Sequence, residues 1–340
     1  MERRGSRLSR RQFVQGAGVS VAGLALGMGC RRLPWQAQPA ARVPRIGVLS
    51  LSADPTEANN AAFRQGLRDL GYSEGQNITL EWRAPSNGGN QYPELAADLV
   101  GLSVDLIVAQ GFAASQAAKQ ASVTIPVVMA YSPDPVRNGF VASLARPGGN
   151  VTGLASLSGL LGGKRLELLR DTVPGLARVA MLWNPEGAER AQEFEEIAAA
   201  AQALGLGLQS VELRDGGGLE YAFESVLQGR ADALFLQTNP VTNRYRPEIV
   251  AFSTAHRLPT MSSRREFVVA GSLMSYGPNF AEMNRRAAYY VDRILRGAKP
   301  ADLPVEQPMT FEFVVNLKTA QALGITFPNE IMLQVTQVIQ

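Results

Sequence analysis

Residues 105–131 read DLIVAQGFAASQAAKQASVTIPVVMAY, and this stretch decides the fold. The apolar runs 105–110 and 126–131 are short and contain several β-branched residues, which is typical of strands buried in a parallel sheet. Residues 113–121, between them, are predicted to form a helix. A strand, a crossing helix and a second strand predict a parallel sheet with helices on its faces.

The same alternation continues along the chain in two halves. Strands in the first half are predicted at residues 45–50, 77–82, 105–110 and 126–131. Strands in the second half are predicted at residues 178–183, 208–213, 233–237 and 259–262. A chain of 340 residues also exceeds the usual size of a single core. The sequence therefore predicts an α/β protein with two doubly wound parallel-sheet lobes.

Composition excludes several classes of protein. The chain is 46% hydrophobic and 19% charged, as expected of a folded globular protein. With one cysteine and one histidine it can form no intrachain disulfide and has little scope for metal or triad chemistry, so no cofactor is expected. Five of the 33 basic and one of the 30 acidic residues lie in residues 1–29, which leaves the remainder with a net charge of −1. That balance argues against nucleic-acid binding.

The N-terminus predicts export. Residues 9–14 (SRRQFV) resemble the twin-arginine motif, and an apolar stretch of about 15 residues follows, which suits a signal peptide. We expect a signal peptide at residues 1–29, with Cys30 acylated after its removal; a chance cysteine in an ordinary signal is the alternative. Residues 30–44 predict a flexible tether. The protein is expected in the periplasm or on the outer face of the cytoplasmic membrane.

Four predicted strands are followed by an Asp-Pro or Asn-Pro pair. The pairs are Asp54-Pro55, Asp134-Pro135, Asn184-Pro185 and Asn239-Pro240. An Asp or Asn can cap a helix, and proline suits the first helical position. These positions lie at the carboxyl ends of strands, where open α/β sheets bind ligands. Two pairs in each half predict a shared cleft, with simple capping as the alternative.

Catalytic motifs are not supported by their context. Residues 71–75 (GYSEG) match the G-x-S-x-G pattern, but a predicted helix precedes them and a strand follows, the reverse of what that motif requires. His256 ends a predicted helix and is expected to be structural. The phosphate-loop and dinucleotide-binding patterns are missing from the sequence. An exported two-domain chain of this kind is predicted to be a receptor and not an enzyme.

Several longer strings carry a family resemblance. They are residues 132–136 (SPDPV), 144–153 (LARPGGNVTG), 271–278 (GSLMSYGP), 290–308 (YVDRILRGAKPADLPVEQP) and 316–320 (NLKTA). Together they resemble the ABC transporter substrate-binding proteins related to tryptophan-binding lipoproteins. The resemblance runs from about residue 45 to the C-terminus. It implies a receptor that binds a small solute and delivers it to an ABC permease in the membrane, without making or breaking a bond.

The resemblance also implies the architecture. It predicts a type I periplasmic-binding fold, whose two lobes are joined by a three-crossing hinge and close on a ligand. We place the crossings near residues 153–159, near Ser275 and near Pro304. The N-terminal lobe then comprises residues 45–155 and 276–303, and the C-terminal lobe residues 156–275 and 304–340. A monomer is expected. A helix at residues 279–296 is expected to pack onto the first lobe through Phe280, Met283, Ala287, Val291 and Ile294.

Position in the fold predicts the ligand-binding residues. They are Ser50, Gly111, Ala113, Ala114, Ser132, Asp134, Asn184, Asn239 and Tyr276. The helix that starts after Gly111 can hold a carboxylate at its free N–H groups, and Asp134 can pair with an ammonium, so an amino-acid-like solute is predicted. The alternative is that Asp134 and the asparagines only cap turns and that Tyr276 packs in the hinge. The identity of the ligand stays open.

Two other functions remain open at this stage. One is an exported hydrolase with Asp54 and Asp134 as its carboxylate pair, because a glycosidase needs two carboxyl groups about 5–10 Å apart. The other is a ligand sensor with the same fold, which signals to a membrane kinase and not to a permease.

Overall fold

The computed structural model describes residues 42–86, 91–186, 188–214, 217–308 and 310–340. The predicted signal peptide, Cys30 and the tether up to residue 41 lie outside the described residues. Within the described ranges, no helix is both long and apolar enough to cross a membrane. In the same ranges, no three or more His, Cys, Asp or Glu side chains are grouped so that they could hold a metal ion.

Strands and helices are numbered here along the described chain. The strands are β1 Arg45–Leu49, β2 Thr79–Arg83, β3 Leu106–Gln110, β4 Val127–Pro133, β5 Val151–Ser156, β6 Arg178–Trp183, β7 Gly207–Glu212, β8 Ala233–Leu236, β9 Thr260–Ser262, β10 Met274–Pro278, β11 Phe311–Asn316 and β12 Gln337–Ile339. The helices are α1 Ala58–Asp69, α2 Tyr92–Gly101, α3 Phe112–Ala121, α4 Gly162–Thr172, α5 Ala188–Ala203, α6 Leu219–Gln228, α7 Pro240–Arg244, α8 Arg246–Ala255, α9 Arg265–Val269, α10 Phe280–Leu295, α11 Leu317–Leu323 and α12 Asn329–Met332.

The first lobe is built on a parallel sheet of five strands in the order β2-β1-β3-β4-β5. Every residue of β3 is buried, because apolar cores cover both faces of the sheet. The four strands predicted in this half are confirmed, with ends that differ by no more than two residues. The fifth strand, β5, was not predicted, and its last four residues fall within the crossing expected at residues 153–159.

Helix α10 belongs to the first lobe although it comes late in the chain. It packs against α1 and β4, and its Phe280, Met283, Ala287 and Val291 join the first lobe's core as predicted. Gly66 in α1 makes the close approach possible. A Cβ atom at Gly66 would lie 2.5 Å from the carbonyl oxygen of Arg285, so only glycine fits without a shift of backbone.

The second lobe is built on seven strands in the order β12-β11-β10-β9-β8-β6-β7. All neighbouring pairs are parallel except β10 and β11. That pair is antiparallel because β10 leaves the lobe and β11 returns to it at the same place. Apolar cores again cover both faces of the sheet. The predicted class of two α/β parallel-sheet lobes is confirmed, with one antiparallel pair added.

The chain passes between the lobes three times. The first passage, at residues 157–158, falls within the expected window of 153–159. The second passage is at Asn279, several residues after the expected Ser275. The shift has a physical cause, since β10 stays paired with β11 as far as Pro278.

The third passage comes after Glu306, slightly later than the expected Pro304. The backbone N–H of Ala155 donates to the carbonyl oxygen of Glu306 at 2.8 Å, and that of Val305 donates to Leu144 at 2.7 Å. These bonds hold residues 305–306 against the first lobe. The expected division, with residues 45–155 and 276–303 in the first lobe, stays a proposal, and these contacts move its bounds to 45–156 and 280–306.

Candidate functional site

A cavity of about 130 Å³ lies between the two lobes, where the carboxyl ends of strands from both sheets meet. The first lobe lines it with Leu51, Tyr92, Gln110, Gly111, Phe112, Ala113, Tyr131, Pro133, Ser156 and Phe280. The first crossing and the second lobe line it with Ser158, Gly159, Arg190, Glu193, Gln237, Thr238, Asn239, Pro240, Ser263 and Arg264. Since one water needs about 10–15 Å³ of such space, the cavity is large enough for a small organic solute and not only for single waters.

Aromatic rings form the first lobe's wall of the cavity. The rings of Tyr131 and Phe280 meet edge to face, with centroids 4.8 Å apart and an angle of 68° between their planes. Tyr92 is buried, and its hydroxyl donates to the carbonyl oxygen of Ser50 at 2.9 Å. Buried rings of this kind offer flat apolar surface in a fixed orientation, which suits a planar or apolar part of a ligand.

Arg264 brings a buried positive charge to the cavity. It is only 6% exposed, and its guanidinium carbon lies 4.1 Å from the ring centroid of Phe280 and 5.0 Å from that of Tyr131. No carboxylate of the described residues forms an ion pair with it. Burial disfavours its charged form, but Tyr131 and Glu266 outweigh this and raise the pKa of Arg264. A buried cation that no described carboxylate approaches within ion-pair distance suits an anionic group on a ligand.

The start of α3 adds donors from the opposite lobe. Gly111 has a φ of +92°, a conformation that favours glycine, and no side chain caps the helix there. The first N–H groups of a helix have no partner within the helix, and the positive end of its dipole lies with them. Gly111 and Ala113 line the cavity, so these donors and Arg264 provide positive potential from both lobes.

Glu193 and Gln237 provide acceptors on the second lobe's side. The amide nitrogen Nε2 of Gln237 donates to Oε2 of Glu193 at 2.9 Å and to the carbonyl oxygen of Arg190 at 3.3 Å. Gln237 is 2% exposed, and its Oε1 has no hydrogen-bond partner among the described residues. Burial raises the pKa of Glu193 above its ordinary value. The cavity therefore presents both positive and negative groups.

Three of the predicted residues line this cavity, namely Gly111, Ala113 and Asn239. Asn239 also caps α7, because its Oδ1 accepts from the N–H groups of Val241 at 2.9 Å and Thr242 at 3.0 Å. Capping and cavity lining, which we had treated as alternatives, are therefore combined at this position.

Three more predicted residues lie behind the wall. Ser50 donates its hydroxyl to the carbonyl oxygen of Ser52 and supports Tyr92. Ala114 packs in the first lobe's core, and Ser132 is fully buried. They support the cavity without lining it.

The remaining three predicted residues lie elsewhere. Asp134, whose side chain is 41% exposed, accepts from the backbone N–H of Arg137 at 3.0 Å and borders a separate surface hollow. Asn184 caps its own turn by accepting from the N–H of Glu186 at 2.9 Å. Tyr276 packs against Phe313 in the second lobe. Their short-range hydrogen bonds and packing explain why they do not reach the cavity.

Sequence reasoning missed the most informative lining residues. Gln110, Tyr131 and Gln237 end predicted strands, so the strand-end rule that selected the Asx-Pro pairs also applied to them. Arg264 follows a predicted strand by two residues. Glu193 lies within a helix, where no sequence signal distinguished it from other surface acids.

Comparison with known proteins gives a consistent result. A family model for ABC transporter substrate-binding proteins matches residues 45–339. The tyrosine-binding protein of Clostridioides difficile (strain R20291) is 25% identical over 281 residues, which cover 82% of this chain and 81% of that protein.

Solved structures are similar over nearly the same region. The ABC domain in complex with L-Trp from Streptococcus pneumoniae is 26% identical with a TM-score of 0.78, covering 87% of this chain and 99% of that one. A conserved domain protein from Vibrio cholerae is 24% identical with a TM-score of 0.80 and the same coverage. The ligand-free, open structure of a Clostridium difficile substrate-binding protein with adhesive properties is 23% identical with a TM-score of 0.60, covering 88% of this chain and all of the other.

Proposed function

Since the chain belongs to the ABC transporter substrate-binding protein family, we propose that it binds an α-amino acid with an aromatic side chain in the cavity between its lobes. Members of this family are extracytoplasmic solute-binding proteins and not enzymes. We further propose that this receptor works as a monomer and hands its ligand to a membrane permease. A lipid on Cys30 and the tether would keep it near that permease.

The buried guanidinium of Arg264 is the observation that carries the ligand class. The guanidinium faces the cavity and lies against aromatic rings. No carboxylate in the described part of the chain forms an ion pair with it. A ligand carboxylate could form a direct ion pair with Arg264, and the rings would cover a flat side chain. A tyrosine-binding relative and a similar structure in complex with L-Trp support the same class.

The mechanism follows from the division of the site between the lobes. Arg264 comes from the second lobe but lies over the first lobe's Phe280 and Tyr131. A ligand that touches both lobes binds the closed form better than the open form, and only this difference can shift the equilibrium.

The hydrolase alternative has no support from the site. Its candidate carboxylates, Asp54 and Asp134, border two different hollows, and neither lines the cavity. A ligand sensor with this fold would have the same binding site. The proposed ligand class is therefore the same whether the protein serves transport or sensing.

Isothermal titration calorimetry of the natively purified chain tests the proposal. L-tryptophan, L-tyrosine and L-phenylalanine are titrated beside aliphatic amino acids and sugars. At 100 times its dissociation constant the correct ligand should also stabilise the fold by about 2.7 kcal/mol. Arg264→Gln should weaken binding at least about 30-fold, since truncating one partner of a buried charge pair costs about 2–5 kcal/mol. Arg178→Gln, an exposed arginine of the same lobe, is the matched control. Binding of a sugar and of no amino acid would overturn the proposal.

A further inference from the structure

A second arginine lies one layer behind the cavity wall. Arg165 in α4 is 1% exposed, and its guanidinium donates to the carbonyl oxygens of Ser158 and, at 3.3 Å, Leu161. Its guanidinium carbon lies 5.5 Å from the ring centroid of Phe235. Ser158 lines the cavity, so Arg165 fixes part of the wall without lining it. The proposed binding of the carboxylate does not use this charge.

The positive charge of Arg165 affects the pKa of Glu193, an acid that lines the cavity. Burial raises the pKa of Glu193, while Arg165 and the hydrogen bond from Gln237 oppose the rise. Arg190 on α5 acts in the same direction as Arg165, and Glu196 on the same helix acts against them. Burial lowers the pKa of Arg165 in turn, and Glu193 opposes that change. The two groups therefore stabilise each other's charged forms at the edge of the cavity.

We infer that Glu193, together with Oε1 of Gln237, binds the ligand's primary ammonium, and that Arg165, which holds the carbonyl oxygen of Ser158 in the same cavity wall, is a positioning residue for Glu193. The inference rests on the proposed function and narrows it to amino acids with a free amino group. Glu193 and Gln237 offer only acceptors in this direction, since Nε2 of Gln237 already donates to Glu193. Desamino and N-acylated acids would leave these acceptors without a donor in a desolvated site.

A specific pH dependence follows. A bound ammonium favours the ionised form of Glu193, so its pKa is lower in the complex than in the free protein. Between those two pKa values, binding releases a proton. Affinity for the amino acid therefore rises with pH until Glu193 is ionised in the free protein, and is constant above that point. Without the charge of Arg165, Glu193 ionises at higher pH. The pH above which affinity becomes constant is then higher.

Calorimetry with matched ligand pairs tests the inference. L-tryptophan, L-tyrosine and L-phenylalanine are each compared with indole-3-propionate, 3-(4-hydroxyphenyl)propionate and 3-phenylpropionate, which lack the amino group. Glu193→Gln should weaken binding of the amino acid at least tenfold and leave the desamino acid within about twofold. Arg165→Met should weaken the amino acid selectively and shift its pH profile upward, whereas Arg165→Lys should restore both.

Folding controls keep the test decisive. Without ligand at neutral pH, Glu193→Gln should melt at the same temperature as the parent or higher, because it removes a carboxylate whose burial is unfavourable. If Arg165→Met does not fold, Arg165→Lys and Glu193→Gln still decide the question. The inference is overturned, and the proposed function is kept, if Glu193→Gln loses the amino acid and its desamino partner equally, or loses neither. If the parent binds no amino acid at all, the proposed function fails first.

Discussion

The two lobes contribute opposite chemistry to the cavity between them. The first lobe offers the rings of Tyr92, Tyr131 and Phe280, packed on its own core. The second lobe offers Arg264 and Glu193, each a charged side chain with limited access to water. Apolar rings are stable with or without a ligand, whereas buried charges gain most when a partner of opposite charge arrives. The first lobe therefore acts as an apolar platform with backbone donors at the start of α3, and the second lobe supplies the charged side chains.

The largest expected effect comes from removing part of the platform. Phe280→Ala should lower the free energy of unfolding by about 3–5 kcal/mol and weaken amino-acid binding at least tenfold, because the ring also supports Arg264. Denaturant unfolding and calorimetry measure the two effects. Phe327→Ala is the matched control, since both rings are 7% exposed but Phe327 lies in the second lobe's core. Equal losses of affinity in the two variants would contradict the platform role.

The next prediction changes the stability of the first lobe without changing the residues that line the cavity. Gly66→Ala should cost about 1–3 kcal/mol of stability, because the added methyl group would meet the carbonyl oxygen of Arg285. Gly101→Ala in α2, where nothing lies within 4 Å, should be neutral or favourable. Thermal unfolding compares the pair. The folded fraction of both variants should bind ligand normally, and a large change in affinity would show that the platform is not rigid.

A smaller effect is expected where like charges face each other across the cleft. Burial raises the pKa of Glu57 in the first lobe, and the carboxylate of Glu266 in the second lobe adds to this. Protonation of Glu57 therefore favours closure of the lobes. Because of this group, ligand affinity should fall as pH rises through the pKa of Glu57. The pH dependence expected from Glu193 has the opposite direction. Glu57→Gln should strengthen binding about two- to fivefold near neutral pH. Glu94→Gln, an exposed acid of the first lobe, should leave the pH profile unchanged.

The smallest effect sharpens the contrast between two arginines that reach across the lobes. Arg137 pairs with Glu196 at 3.3 Å, and their side chains are 41% and 39% exposed. Exposed pairs contribute about 0.2–1 kcal/mol and are screened by salt. Arg137→Gln should therefore change ligand affinity less than about fivefold at low salt and not at all in 0.5 M NaCl. An effect as large as that of Arg264→Gln would remove the distinction between rim and cavity.

The sheets were predictable because their signal is local. Apolar runs such as 105–110 and 126–131 indicate buried strands without knowledge of the rest of the chain. Strand β11 was not predicted, and its pairing with β10 and β12 is a tertiary contact that no single apolar run encodes. The crossings were displaced for the same reason, because pairing with β11 holds β10 in the second sheet.

The site was only partly predictable because it forms where two lobes meet. Gly111 and Asn239 could be found from strand ends and helix starts. Asp134 has the same local signal as Asn239, yet its turn carries it to the surface. Arg264 and Glu193 acquire their role from burial by the approaching lobe, which no local pattern encodes.

The late return of α10 to the first lobe has a consequence for biosynthesis. While the ribosome synthesises β6 to β10, the apolar faces of α1 and β4 that α10 will cover remain exposed to solvent on the nascent chain. Long-range closure of this kind is slow and leaves apolar surface exposed to aggregation, the situation in which chaperones act. A chain truncated before residue 280 therefore cannot complete the first lobe. It forms an aggregation-prone fragment with exposed apolar surface, which cellular quality control can recognise and degrade.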